Sequence, residues 1–311
     1  MSSVRRTPLV RCAALEAATD AGPVFLKLEC LQRTGSFKLR GATEAIASLP
    51  AAEREAGVVT ASAGNHGAGL ALAGGAAGVA VTVVVPERTP QNKQQRMLGL
   101  GAELLVQGKD YDASEAIARD LASKRGATFV SAFDDENVIR GNGGSLGEEI
   151  RQQIEALGFT LGTVLAPVGG GGLIGGLANE LSPREVTVVG CQPTNNCAMH
   201  DSLALGRALC EYEKLHTVAE GCEGAVCERT YSIVAKHGIE IVTVSEESIL
   251  DAVRFLYREC GVVAETSAGV PVAALRTKVA RCDPASATVI VISGGNIDDS
   301  ALDSLLAEGD N

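Results

Sequence analysis

The sequence predicts an α/β fold of two lobes, with open, mostly parallel twisted sheets covered by helices. Three observations predict it. Short β-branched runs alternate with segments of helical periodicity over most of the chain. The clearest run, Val79-Ala80-Val81-Thr82-Val83-Val84-Val85, is apolar throughout, as a strand covered on both faces must be. And 311 residues exceed what a single hydrophobic core usually serves.

In chain order, strands are expected at Val24-Leu28, Val58-Thr60, Val79-Val85, Ala102-Leu105, Thr128-Val130, Thr163-Ala166, Val186-Val189 and Thr288-Ile292. Helices are expected from Lys38 to about Leu49, then over Pro90-Leu98, Tyr111-Lys124, Gly147-Leu157 and Glu247-Glu259. No internal repeat or low-complexity linker interrupts them, so the lobes must be interwoven.

Composition narrows the function. Hydrophobic residues make up 46% and charged ones 21%, enough for a large core. A net charge of −11 argues against nucleic acid or an anionic membrane as partner. No apolar run approaches the ~18 residues of a membrane span, and the start Met1-Ser2-Ser3-Val4-Arg5-Arg6 lacks a signal peptide's apolar core. Nine cysteines form no CxxC pair and none is spaced like a metal finger with His66, His200, His216 or His237. They read as reduced thiols in a cytoplasm.

Four stretches carry chemistry. In Thr34-Gly35-Ser36-Phe37-Lys38-Leu39-Arg40-Gly41-Ala42, a lysine opens a helix behind a Gly-Ser turn. Cations are favoured at the other helix end, and this placement lowers an amine's pKa, as a nucleophile needs. By itself it reads as a solvated lysine on a surface helix. In Thr60-Ala61-Ser62-Ala63-Gly64-Asn65-His66-Gly67, a strand end meets a helix start, where open α/β sheets put ligands. The Ser62 hydroxyl, Asn65 amide, His66 ring and loop N–H groups can hold a carboxylate; the plain alternative is a helix cap at Ser62 or Asn65.

Third, Pro167-Val168-Gly169-Gly170-Gly171-Gly172-Leu173 joins a strand to a helix. Consecutive glycines let N–H groups converge on a phosphate with the helix dipole behind them, and a structural turn rarely bears the entropy of four. Gly170, Gly172 and Gly175 also satisfy the dinucleotide spacing G-x-G-x-x-G. That fold wants an acid about 20 positions on, and Gln192 stands after the next strand instead, which weighs against a nicotinamide oxidoreductase. Fourth, Val289-Ile290-Val291-Ile292 ends on Ser293-Gly294-Gly295-Asn296, alone a mere strand terminator.

Together, in this order and at similar separations, the four stretches resemble the fold-type-II pyridoxal-phosphate enzymes, the tryptophan synthase β superfamily. Within it the chain is most similar to the threonine/serine dehydratase and serine racemase branch, over roughly Thr7 to Asp298. The resemblance implies pyridoxal 5′-phosphate as cofactor and a homodimer. It implies a large cofactor-binding lobe of residues 1-42 and 138-311 and a small lobe of 43-137. Lys38 would carry the cofactor and then move the substrate's α proton. Phe37 would pack beside its ring, and Asn65 would bond the 3′ oxygen. Gly169, Gly170, Gly171, Gly172 and the Leu173 amide would hold the phosphate, and Ser293 would face the pyridine nitrogen. Ser62, Gly64, Asn65 and His66 would receive the substrate carboxylate. The implied reaction is β-elimination of a β-hydroxy-α-amino acid, L-threonine or L-serine, to a 2-oxo acid and ammonia.

Departures sort the branches. Serine racemases of this family have a second serine where this chain has Ala63, so racemisation should be poor. Their divalent-cation carboxylates match Gln192 and Ala198, so no metal is expected there. Family members often read Gly-Gln-Gly-Thr where this chain reads Gly141-Asn142-Gly143-Gly144-Ser145, and Glu-Pro where it reads Glu265-Thr266. These leave the substrate open, with phenylserine, hydroxyaspartate and diaminopropionate as rivals. A cysteine-synthase-like β-replacement is disfavoured because its asparagine loop normally reads Ser-Gly-Asn-Thr. A non-catalytic cofactor-binding protein is disfavoured by the intact Lys38, Asn65 and Ser293. The chain stops soon after Asp298, so feedback through a regulatory domain is not expected.

Overall fold

A computed structural model describes residues 4–213 and 215–307; Met1, Ser2 and Ser3 of the basic start lie outside the described residues. The chain packs as two units, one of Met1–Arg5 and Gln32–Asn142, the other of Arg6–Leu31 and Gly143–Asn311.

The second unit holds β1 (Leu9–Arg11), β2 (Val24–Leu28), β7 (Leu161–Pro167), β8 (Thr187–Pro193), β9 (Glu240–Val244) and β10 (Ala287–Ile292); the first holds β3 (Val58–Ala61), β4 (Val81–Val85), β5 (Glu103–Val106) and β6 (Thr128–Phe129). The first unit's sheet runs β5-β4-β3-β6 and is wholly parallel. The second unit's sheet runs β1-β2-β10-β7-β8-β9, parallel except where β1 pairs antiparallel with β2 at the edge. Every residue of β2, β4 and β10 is buried, which is why, Lys27, Thr82 and Thr288 aside, those runs are apolar without alternation.

Two strands escape a sequence reading. β1 is three residues at an edge, and β9 is also an edge strand with only two of five residues buried. Neither has the continuous apolar run of a central strand. The strand expected from Val79 begins at Val81, because the Val79 amide donates to Gly74 O and closes the preceding helix. The helix expected from Gly147 spans Ser145–Ala156 and follows a π-helical turn, Arg140–Gly144.

The unit borders also lie elsewhere than at 42 and 137. Residues 32–42 pack with the first unit because helix Lys38–Ser48 lies against helix Asn65–Ala77. Gly69 permits the approach: a Cβ there would sit 3.2 Å from the backbone of Lys38 and Leu39. At its other side, Gly41 N–H donates to Asn142 Oδ1 (2.9 Å), which carries the first unit through Asn142.

Candidate active site

In the first unit, Gly35 adopts φ 66°, a left-handed turn that glycine alone takes cheaply, and Lys38 is the first residue of its helix, as its sequence context predicts. The Lys38 ammonium donates to Ala132 O (3.0 Å) and lies 5.3 Å from the Phe37 ring centroid. Ser36 Oγ is wholly buried and has no hydrogen-bond partner among the described residues. Sequence reasoning passed over both Ser36 and Ala132. The latter acts through a main-chain carbonyl, for which a sequence carries no signal.

Helix Asn65–Ala77 starts at Asn65 with Gly64 as its N-cap, and no side chain caps it. Ser62 therefore does not cap the helix; its Oγ accepts from the Gly64 N–H (3.2 Å) and shapes the turn. Gly64 is exposed, with nothing within 4 Å of where its Cβ would be. His66 is 3% exposed, and its Nε2 lies 3.3 Å from Val130 O. Burial first, then the nearby Lys38 charge, pull its pKa down to about 3. The ring is neutral at pH 7, so a bond to a carbonyl requires Nε2 to bear the proton. Nδ1 is then an acceptor, buried and without a partner among the described residues. A carboxylate needs a donor, which this ring does not offer it; the His66 main-chain N–H can.

In the second unit, the glycine loop leaves β7 and enters helix Gly172–Leu181 through Gly171, whose φ is 91°. The N–H groups of the first helical turn have no intrahelical acceptors, and the dipole adds positive potential there. The loop is held from behind. Thr230 Oγ1 donates to Gly170 O (2.8 Å), and a Cβ on Gly171 would lie 2.7 Å from Thr230 Cβ and 2.8 Å from Met199 Cε. A Cβ on Gly169 would lie 2.6 Å from Gly221 O, and Gly221 N–H is anchored on Ser267 Oγ (2.8 Å).

Ser293 follows β10 and is 2% exposed. Glu265 lies against the backbone just beyond it: its N–H donates to Gly294 O (3.0 Å), and its carboxylate lies 2.6 Å from where a Gly294 Cβ would be. Thr230, Ser267 and Glu265 were missed as site residues. Glu265 and Ser267 gave a signal only as letters of a stretch read for its missing proline, and Thr230 gave none.

Gln192 is wholly buried; its Nε2 donates to Val168 O (3.2 Å) and its Oε1 accepts from His200 N–H (3.0 Å). An ionised carboxylate could not make the first bond. The amide is a buttress of the glycine loop, and neither it nor the Ala198 methyl fits a hard cation.

In the first unit an amine at a helix head, with a buried hydroxyl and imidazole nitrogen that have no partner among the described residues, suits an aldehyde; in the second, a glycine loop at a helix head suits a phosphate. The chain matches the family described as pyridoxal-phosphate dependent enzyme over residues 1–294. The chain belongs to that family. It is 40% identical over 311 residues to an L-threonine ammonia-lyase of Thermotoga maritima, covering 98% of this chain and 75% of the relative. The processed form of threonine deaminase isoform 2 from Solanum lycopersicum superposes with a TM-score of 0.90 at 31% identity, covering 100% of this chain and 90% of that one. A serine racemase from Dictyostelium discoideum gives 0.87 at 30% identity, covering 95% and 94%. This pyridoxal-phosphate-dependent lyase thus has the two-lobe α/β architecture its motifs imply.

Proposed function

We propose that the enzyme is a threonine/serine ammonia-lyase, which removes the β-hydroxyl of L-threonine or L-serine and releases a 2-oxo acid and ammonia. The carrying observation is the Lys38 amine held by a main-chain carbonyl at a helix head, in a chain 40% identical to an ammonia-lyase.

In this reading Lys38 would hold the cofactor's aldehyde carbon, Phe37 would pack beside its ring, and Asn65 would bond its 3′ oxygen. Gly169, Gly170, Gly171, Gly172 and Leu173 hold the phosphate through main-chain N–H groups with the helix dipole behind them. Ser293 faces the pyridine nitrogen as a neutral partner. When bound, the cofactor supplies an electron sink for the pair released at Cα. Once displaced from the cofactor by the substrate's amine, Lys38 would be the base that takes the α proton, its neutral amine oriented by the Ala132 carbonyl. The Ser62 hydroxyl, set by the Gly64 N–H that its oxygen accepts, and the loop groups of Asn65 and His66 would receive the substrate carboxylate. The Ala63 methyl cannot return a proton from the opposite face, which favours elimination over racemisation. No divalent cation is assigned to Gln192 and Ala198.

The same reading takes the enzyme as a cytoplasmic homodimer with no nucleic-acid or membrane partner. A net charge of −11 supports it, as does the lack, among the described residues, of any helix long and apolar enough to cross a membrane.

The test begins with protein supplied with pyridoxal phosphate. Borohydride reduction should fix the cofactor's mass on Lys38. Among L-threonine, L-serine, phenylserine, hydroxyaspartate and diaminopropionate, the first two should release 2-oxo acid fastest. Colourless, unmodified protein would sink the reading, and faster turnover of any other substrate would reassign it.

A further inference from the structure

Cys12 and Cys260 stand 248 positions apart in sequence, yet their Sγ atoms are 3.2 Å apart in the second unit. Both are held by their backbones. Cys12 lies between β1 and helix Ala13–Ala18; its N–H donates to Val24 O (2.8 Å), and its carbonyl accepts from Leu15 and Glu16 (3.1 Å each). Cys260 is the last residue of helix Glu246–Cys260, which Gly261 ends in the left-handed conformation. Neither thiol belongs to the machinery assigned above. Other cysteines face different partners: Cys197 meets Asp201 and Tyr212, and Cys227 meets Thr230.

We propose that Cys12 and Cys260 are an oxidisable dithiol, a modification site that takes a peroxide-class oxidant and closes to a disulfide. Peroxide oxidises one thiol to a sulfenic acid, and water leaves with the other oxygen. The second sulfur then attacks the first, the S–O bond breaks, and a second water leaves with the remaining thiol proton. Two electrons pass from the sulfur pair to the peroxide. Bond formation needs the sulfurs to close by roughly 1.2 Å, within reach of side-chain rotation. The pair also has a thiolate to offer. Their mutual hydrogen bond draws the Cys12 thiol's pKa down and pushes that of Cys260 up. Cys260 is partly exposed, which gives a small oxidant access.

The holoenzyme is treated with hydrogen peroxide, alkylated under denaturing conditions and mapped by mass spectrometry. A Cys12–Cys260 linked peptide lacking two hydrogens, reversed by dithiothreitol, is expected, with two of the nine thiols protected. The linked chain should also unfold at higher urea than the reduced chain, because the bond closes a long loop in the unfolded state. In Cys260→Ser the linked peptide should vanish, and Cys12 should be trapped as a dimedone adduct. Full alkylation of both thiols after peroxide, or linkage of either to another cysteine, would overturn the proposal. Mapping of the natural chain decides this even if the variant folds poorly.

Discussion

Replacing Gly171 by alanine tests whether the glycine loop is shaped by its own backbone and by what lies behind it. Gly171 has φ 91°, where an L side chain costs about 1–2 kcal/mol. The new Cβ would also sit 2.7 Å from Thr230 Cβ and 2.8 Å from Met199 Cε, and overpacking of that kind costs about 1–3 kcal/mol. Together these make about 2–5 kcal/mol. The backbone of Gly171 is the N-cap of helix Gly172–Leu181, so the cheapest relief is to move the loop and displace the amides assigned to the phosphate. Pyridoxal-phosphate affinity, read by fluorescence titration, should fall on the order of 10- to 1,000-fold, with part of the cost appearing as a lower denaturation midpoint. Adding Met199→Ala removes one clash and leaves both φ and Thr230, so recovery should be partial. Affinity and stability within twofold of the parent would refute the reasoning, and full recovery in the double variant would remove the backbone part of it.

Ala63→Ser should raise serine racemisation roughly 10- to 100-fold by supplying a proton-exchanging group; chiral chromatography of recovered substrate checks it, and unchanged racemisation counts against the assigned face. Ser293→Asp should shift side reactions toward transamination, read as pyridoxamine phosphate formed per turnover; an unchanged product spectrum would argue against a neutral partner at the pyridine nitrogen. Glu149→Leu should destabilise the second unit by about 3–5 kcal/mol in urea, because the wholly buried Lys27 loses its carboxylate at 2.5 Å, while its bonds to Thr7 O and Gln153 Oε1 bring no compensating charge. His66 is neutral when folded, with its pKa depressed from 6.5 to about 3, so the unfolded chain binds the extra proton. Stability from this group is therefore full above pH 6.5 and is lost as pH falls towards 3, up to about 5 kcal/mol. His66→Gln should flatten the stability-versus-pH curve in that window relative to the parent; parallel curves would contradict a buried neutral ring.

Much of this was legible in the sequence because its signals are local. An apolar run such as Val81–Val85 announces a buried strand without reference to the rest of the chain. A glycine with φ 66° three residues before Lys38 announces the turn that aims it. The unit border was not legible, because it depends on Gly69 letting one helix approach another, and nothing near residue 42 records that contact. Ala132 holds Lys38 by its carbonyl, which every residue possesses alike, and Thr230 reaches Gly170 across 60 positions.

The glycine loop shows how an expectation can rest on an incomplete reason. Four glycines in a row suggested amides converging on an anion, on the ground that a turn seldom tolerates their entropy. At Gly169 and Gly171, however, the missing side chains are also demanded from behind, by Gly221 O and by Thr230 with Met199. Glycine at these two positions would persist even if nothing were bound in front. The case for a phosphate therefore rests on the free first-turn amides and dipole of helix Gly172–Leu181, and on Thr230 and Gln192 fixing the carbonyls of Gly170 and Val168. With the Val168 and Gly170 carbonyls engaged from behind, the lone pairs that would repel an anion are occupied at those two positions.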